Sequence, residues 1–347
     1  EGAERARAMG VFGFVAAGGG SIGVLVGGVL TDLLSWHWVF LVNIPVGAMV
    51  LLMALRILPS GAGSGRQRLD VAGAVTVTAA LMLAVFAIVN GNEAGWLTVR
   101  TVGLLGVAAA LLGTFLVIES RTPNPIMPLG LFRLRNLAVA NVVGVLWAAA
   151  MFAWFFVSAL YLQQVLGYTP LEVGLAFLPA NLIMAAFSLG LSARVVMRFG
   201  TRGPLAAGLA CSAAGLALFA RIPVDGAFTP DVLPGMLLLG IGAGMAFNPM
   251  LLVAMGDADP SQAGAASGIV NTAFMMGGAL GLAVLASIAA ARTESLLDGG
   301  DPRLAALTAG YRAAFLVGAL FAAAGAALAG ALLRPAPQRE GAPVAAH

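Results

Sequence analysis

No lysine occurs among the 347 residues, cysteine is limited to Cys211 and histidine to His37 and His347. One cysteine excludes an intrachain disulfide and any cysteine-based metal cluster. Two histidines, with no acid deep inside an apolar stretch, leave neither a zinc-type ligand set nor a Ser-His-Asp arrangement. Glycine-rich runs such as residues 240–244 lack the lysine that a phosphate-binding loop needs. Charge is scarce as well: charged residues make up 10% of the chain, against roughly 25% in a soluble domain. An enzyme with its own metal, cofactor or nucleotide is therefore a poor fit, and no cofactor is expected.

What the chain has is apolar length, with 60% of its residues hydrophobic. A bilayer core about 30 Å thick takes roughly 20 helical residues to cross. Stretches of that kind cover residues 9–31, 38–57, 71–90, 101–118, 136–164, 171–192, 204–220, 232–254, 263–290 and 309–333. All fifteen acids fall between these stretches or at their edges. The expected fold class is all-α integral membrane, with about ten transmembrane helices. Forty-six glycines are about twice the average usage, which in an apolar helical chain points to close helix contacts.

Positive charge collects in cytoplasmic loops. With Glu1 inside, Arg5, Arg7, Arg56, Arg66, Arg68, Arg121, Arg133, Arg135, Arg194, Arg198, Arg202, Arg334 and Arg339 are all inside. Arg100, Arg221, Arg292, Arg303 and Arg312 are outside, so thirteen arginines against five place both termini in the cytoplasm. The lipid bilayer is the expected partner. The net charge of +3 does not imply nucleic acid, because the arginines are scattered and form no stripe.

Within the first stretch Gly19, Gly23 and Gly27 recur every fourth residue, beside Gly28. They line one helix face, a groove for close backbone approach. With Thr31-Asp32 and the run Ser35-Trp36-His37-Trp38-Val39-Phe40-Leu41-Val42-Asn43-Ile44-Pro45-Val46-Gly47, this region resembles the antiporter motif and the following W-R-W-x-F-x-x-N-x-P-x-G of the fourteen-helix drug:proton antiporter branch of the major facilitator superfamily, the EmrB/QacA type. Val24 stands where that motif has proline, and His37 where it has arginine. Tyr161-Leu162-Gln163-Gln164-Val165-Leu166-Gly167-Tyr168-Thr169-Pro170, the run from Gly240 to Pro249, and that from Gln262 to Thr272 are also similar to this branch. Residues 193–202 resemble a degenerate copy of the superfamily's cytoplasmic loop motif, with Arg198, Gly200 and Arg202 kept and Met197 in place of its aspartate.

The resemblance implies the major facilitator fold and an organisation in four parts. Residues 1–58 would end an N-terminal half, 59–135 would hold two extra linking helices, 136–334 a complete six-helix C-terminal half, and 335–347 a cytoplasmic tail. The start of the chain corresponds to the fifth helix of the family, so four helices are expected upstream. The implied function is proton-coupled export of lipophilic or cationic drugs by alternating access, in a bacterial plasma membrane. Export of an endogenous metabolite, siderophore or lipid stays open, as does a membrane-embedded enzyme or scaffold. Such transporters bind their small-molecule substrate near the midplane, where the polar and aromatic candidates are Asn141, Trp147, Trp154, Tyr161, Gln163, Asn181, Asn248 and Asn271. Trp147, Trp154 and Tyr161 are seven residues apart, hence on roughly one helix face. For each candidate an interhelical hydrogen bond is as good a reading as substrate contact. Proton coupling would use a membrane-embedded acid that the family carries in its first helix; no acid falls in the interior of the ten stretches here.

Overall fold

A computed structural model describes residues 23, 26–57, 70–123, 125–256 and 263–333. Among the described residues the chain forms helices and no strand, as expected where lipid offers no partner to a backbone N–H or C=O. Residues 26–33 form α1, His37–Leu41 α2 and Asn43–Ile57 α3; Val71–Ala94 is α4 and Val99–Arg121 α5. Then come α6 (Arg135–Gln164), α7 (Pro170–Ala186), α8 (Ser192–Phe199), α9 (Arg202–Phe219), α10 (Leu233–Gly256), α11 (Ala263–Asp298) and α12 (Arg303–Leu332). Eight described stretches are helical, long and apolar enough to cross a membrane. They correspond to eight of the ten expected spans; most of span 9–31 lies outside the described residues.

The remaining span, 171–192, differs from expectation. Its helix starts with a capping box, in which the Glu172 N–H donates to Thr169 Oγ1 and the Thr169 N–H to Glu172 Oε2, with Pro170 in the first turn. It runs only to Ala186, widens into a π-type turn over Phe187–Leu191, and kinks at Gly190 (φ 125°, ψ −8°). That conformation is open to glycine and strained for any residue with a Cβ. Beyond it the chain stays helical as α8, so residues expected in a cytoplasmic loop, Arg194 and Arg198 among them, sit on a helix. The helix ends also overrun three expected boundaries. The last turns of α11 and the first of α12 carry Arg292 and Arg303 on helices instead of loops. α5 continues to Arg121 and takes Glu119 with it.

Packing centres on α6, which touches α11, α12 and α10; α9 fits between α10 and α12, and α7 lies on α10. α4 and α5 form an antiparallel pair whose α4 leans on α11, where Ser287 Oγ donates to the Ile88 carbonyl at 3.2 Å. In lipid, burial of apolar surface no longer drives helices together, so close backbone approach must do more of the work. α9 and α10 achieve it with facing small residues: methyl groups built on Gly208 and Gly242 would lie 2.7 and 2.6 Å from each other's carbonyl oxygens. α3 has no buried residue, and Met49, Leu52 and Leu55 on it are exposed.

Candidate functional site

α6 runs through the middle of the bundle, so its side chains meet most of the helices that could border a substrate path. Trp147, Trp154 and Tyr161 are all buried. They do not converge. Seven helical residues rise roughly 10 Å, so the three rings stand at three depths, and each meets a different neighbour. Trp147 packs against Phe247 of α10 and Phe274 of α11, with ring centroids 6.2 and 5.5 Å away. Trp154 faces Phe155 and Phe177, at 4.4 and 5.7 Å. Tyr161 donates its hydroxyl to the Pro223 carbonyl at 2.8 Å, and so holds the turn between α9 and α10.

Trp147 is the centre of the best-defined cluster. Phe247 and Phe274 are 6.1 Å apart, edge to face, and Phe152 adds a fourth ring 6.1 Å from Phe274. Three helices thus contribute aromatic faces to one place. Phe247 is 42% exposed, whereas Trp147 is buried and Phe274 half-buried. The indole N–H of Trp147 is buried and has no acceptor among the described residues, as does that of Trp154. A buried donor of this kind normally finds a partner. Phe247 and Phe274 are the residues that sequence reasoning missed.

The asparagines separate into two groups. Asn141 and Asn181 are buried. Asn141 Nδ2 donates back to the Leu137 carbonyl at 2.8 Å, while among the described residues its Oδ1 is unpartnered and Asn181 Nδ2 is too. Asn248, beside Phe247, is half-buried, whereas Gln163 and Asn271 are exposed and do not join the others. A cavity of about 610 Å³ opens between α5, α6 and α11, lined by Phe115, Met127, Asn141, Val145, Gly268 and Thr272 among others. Asn141 is the one expected site residue on its wall.

Among the motif residues, Gly19 lies outside the described residues. Among the described residues, methyl groups on Gly23 and Gly27 would meet nothing within 4 Å, while one on Gly28 would lie 2.8 Å from the Pro170 carbonyl oxygen. Close approach between α1 and the start of α7 therefore falls on Gly28. Arg198 is exposed and holds its guanidinium 5.3 Å from the Phe199 ring, and Gly200 (φ 72°) ends α8. Arg202 donates from Nη2 to the Gly330 carbonyl, and Arg135 from Nε to the Leu332 carbonyl at 3.2 Å. Both use the free carbonyls at the end of α12, where positive charge also suits the helix dipole. At the other end Arg312 Nε donates to the Ile222 carbonyl at 2.7 Å, and the Tyr311 hydroxyl to Gln164 Oε1 at 3.0 Å. α6, α9 and α12 are thus tied at both ends, and the interior between the ties carries aromatic and amide groups but no charge.

The family model of the Major Facilitator Superfamily matches residues 1–282. The chain is 36% identical over 300 residues to the puromycin resistance protein pur8 of Streptomyces alboniger, covering 85% of this chain and 59% of that protein. It is 37% identical over 326 residues to the cephamycin export protein CmcT of Amycolatopsis lactamdurans, covering 92% and 65%. With the multidrug resistance protein Stp of Mycobacterium tuberculosis the identity is 34% over 300 residues, covering 86% and 55%. The chain spans between about half and two thirds of the length of these curated relatives. Long apolar helices and close glycine contacts agree with these matches, and the chain is an integral membrane protein that belongs to the major facilitator superfamily.

Proposed function

We propose that this protein is a secondary active exporter of drug-like organic molecules, driven by protons and working by alternating access. The observation that carries the reading is the cluster of Trp147, Phe247 and Phe274. It presents aromatic faces from three helices, an unpartnered indole donor and no charged group, an arrangement suited to a largely apolar, ring-containing substrate with a hydrogen-bond acceptor. The names of the relatives support the same class: resistance to puromycin and export of cephamycin belong to proteins that share over a third of their aligned residues with this chain. Asn141, Trp154, Asn181 and Asn248 would border the path, with Tyr161 keeping the α9–α10 turn in place. Gln163 and Asn271, being exposed, are the weakest members of the set.

The motif resemblance supports membership of the fourteen-helix branch. On that reading α4 and α5 are its extra linking pair, and α6 to α12 form the six-span C-terminal half, α7 and α8 being one broken span. The arginine distribution supports a cytoplasmic location for both ends of the 347 residues, in a bacterial plasma membrane. The test is accumulation of a fluorescent lipophilic substrate in efflux-deficient cells expressing the protein, with and without a protonophore. Lower accumulation that the protonophore abolishes is expected. Trp147→Ala and Phe274→Ala should each reduce efflux at unchanged membrane expression, while Trp147→Phe keeps most of it. Full efflux by both alanine variants would remove the cluster from the path.

A further inference from the structure

α6 and α11 press together over part of their length and then part. A methyl group on Gly277 would lie 2.6 Å from Val145 Cα, and one on Gly281 would run into Ala149. Four residues along α11 match four along α6, so the two helices run in the same direction. Towards the start of α11 this contact is lost: among the described residues, methyl groups on Gly264 and Gly268 would meet nothing within 4 Å. α5 borders the gap but packs chiefly on α4, and so leaves it open. The gap is the cavity of about 610 Å³ between α5, α6 and α11.

Its shape follows from helix register. Counting back from the contact of Gly277 with Val145 puts Thr272 level with Asn141 and Gly264 level with Phe132, and all four line the cavity. The eight residues from Gly264 to Thr272 rise about 12 Å, so the space is a slot of roughly that length lying along the helices. Gly264, Gly268 and Thr272 recur every fourth residue and give the slot one nearly bare wall. Asn141 and Thr272 supply its only polar side chains. A bound water needs two to four polar partners, which such walls offer at few points, and protein interiors leave few voids larger than a water molecule. A slot this long, narrow and apolar suits a hydrocarbon chain.

One end of the slot is basic. Phe132 lines that end and Arg133 follows it. Residues 120–171 contain Arg121, Arg133 and Arg135 and no acid. Arg121 and Arg133 are exposed and, among the described residues, have no hydrogen-bond or ion-pair partner, whereas Arg135 is held by the Leu332 carbonyl. The preceding acid, Glu119, is only 3% exposed. Its Oε2 accepts from the Met127 N–H at 3.1 Å, and its Oε1 lies 3.1 Å from where a methyl group on Gly73 of α4 would stand. The exposed charge at this end is therefore positive. A guanidinium takes phosphate oxygens two at a time, and arginines at a membrane edge attract anionic headgroups.

We propose that the slot binds one anionic phospholipid, with an acyl chain between α5, α6 and α11 and its phosphate on Arg121 and Arg133. The lipid supplies the contact that α5 lacks, and fastens the α4–α5 pair to the rest of the bundle at this end. Near the other end of α4 the pair is already tied, by the hydrogen bond from Ser287 Oγ to the Ile88 carbonyl. The site is independent of what the protein transports.

The experiment is native mass spectrometry of the purified protein in detergent, titrated with dioleoyl phosphatidylglycerol or dioleoyl phosphatidylcholine, with thermal unfolding alongside. The wild type should retain one phosphatidylglycerol in preference to phosphatidylcholine, and its thermal midpoint should rise with that lipid. Each arginine near an anionic headgroup is worth about a five-fold gain in affinity, so Arg121→Gln with Arg133→Gln should lose roughly thirty-fold and with it the preference. Gly268→Phe fills the slot and should abolish retention of either lipid. If Gly268→Phe does not fold, the arginine variant decides, since both of its positions are exposed. Equal retention of the two lipids by the wild type overturns the proposal, as does undiminished retention by the arginine variant or by a folded Gly268→Phe. Loss of binding of a fluorescent lipophilic substrate in Gly268→Phe, with phosphatidylglycerol still retained, also overturns it by giving the slot to the transported molecule.

Discussion

Replacing Gly242 by alanine is expected to weaken the bundle, even though the same change on an open helix face strengthens a helix. A methyl group at this position would lie 2.6 Å from the Gly208 carbonyl oxygen and 2.8 Å from the Ser212 backbone nitrogen. Both are backbone atoms of α9, so no change of rotamer relieves them. Ordinary contact begins near 3.4 Å, and α9 and α10 must part by the better part of an ångström to restore it. A gap of that size forfeits about a quarter to a half of the dispersion energy at each facing contact. Overpacking costs about 1–3 kcal/mol, and two unyielding contacts put this site near the upper end of the range. Alanine recovers about 1 kcal/mol of helix propensity, which leaves a net loss of about 2 kcal/mol. Gly106→Ala on α5 is the control, because its methyl group meets nothing within 4 Å and the propensity gain stands alone. Thermal unfolding of both variants in one detergent, followed by circular dichroism, measures the difference. Equal midpoints for Gly242→Ala and Gly106→Ala would refute the claim that backbone proximity, and not helix propensity, decides the outcome at Gly242.

Arg202→Gln removes a charged donor from the Gly330 carbonyl. Arg202 is exposed, so the loss should be small, about 0.5–1 kcal/mol. Hydrogen exchange should quicken in the last turn of α12 and nowhere else, and uniform protection there would contradict the tie. Tyr161→Phe deletes the hydroxyl that holds Pro223, at about 1 kcal/mol. Faster proteolysis within residues 220–227 is the expected sign, and an unchanged cleavage rate counts against it. Gly190→Ala forces a Cβ into a backbone conformation at φ 125°, for about 1–3 kcal/mol. Because its methyl group would have free space around it, an unchanged midpoint would mean that the kink between α7 and α8 is not fixed by that residue.

Helix existence was legible because lipid demands it: a long apolar stretch in a bilayer has no other way to satisfy its backbone. Helix ends were less so. α5 keeps its geometry to Arg121 and α11 to Asp298, since a helix does not stop where hydropathy stops; it stops where a cap or a breaker stops it. Hydropathy cut the fourth span at residue 118, one position before Glu119, which α5 carries buried in its last turn. The stretch 193–202 read as a loop because it carries charge, yet nothing before Gly200 breaks it, and α8 continues to Phe199.

The candidate site was harder to read, for a reason particular to membrane helices. In water a helix announces its inward face by an apolar stripe, but α6, α7 and α10 are apolar on every side and offer no such contrast. Trp147 and Phe247 could therefore be named as aromatic residues, and only the fold could say that they meet. Small residues are the signal that survives. Gly208, Ser212 and Gly215 recur at spacings of four and three on α9, and each stands against a close neighbour on α10. Spacing alone still falls short, as the first glycine run demonstrates: Gly23 and Gly27 have the same interval as Gly208 and Ser212, yet among the described residues only the adjacent Gly28 lies against another helix. A glycine stripe identifies a face able to come close, and the partner has to be found in three dimensions.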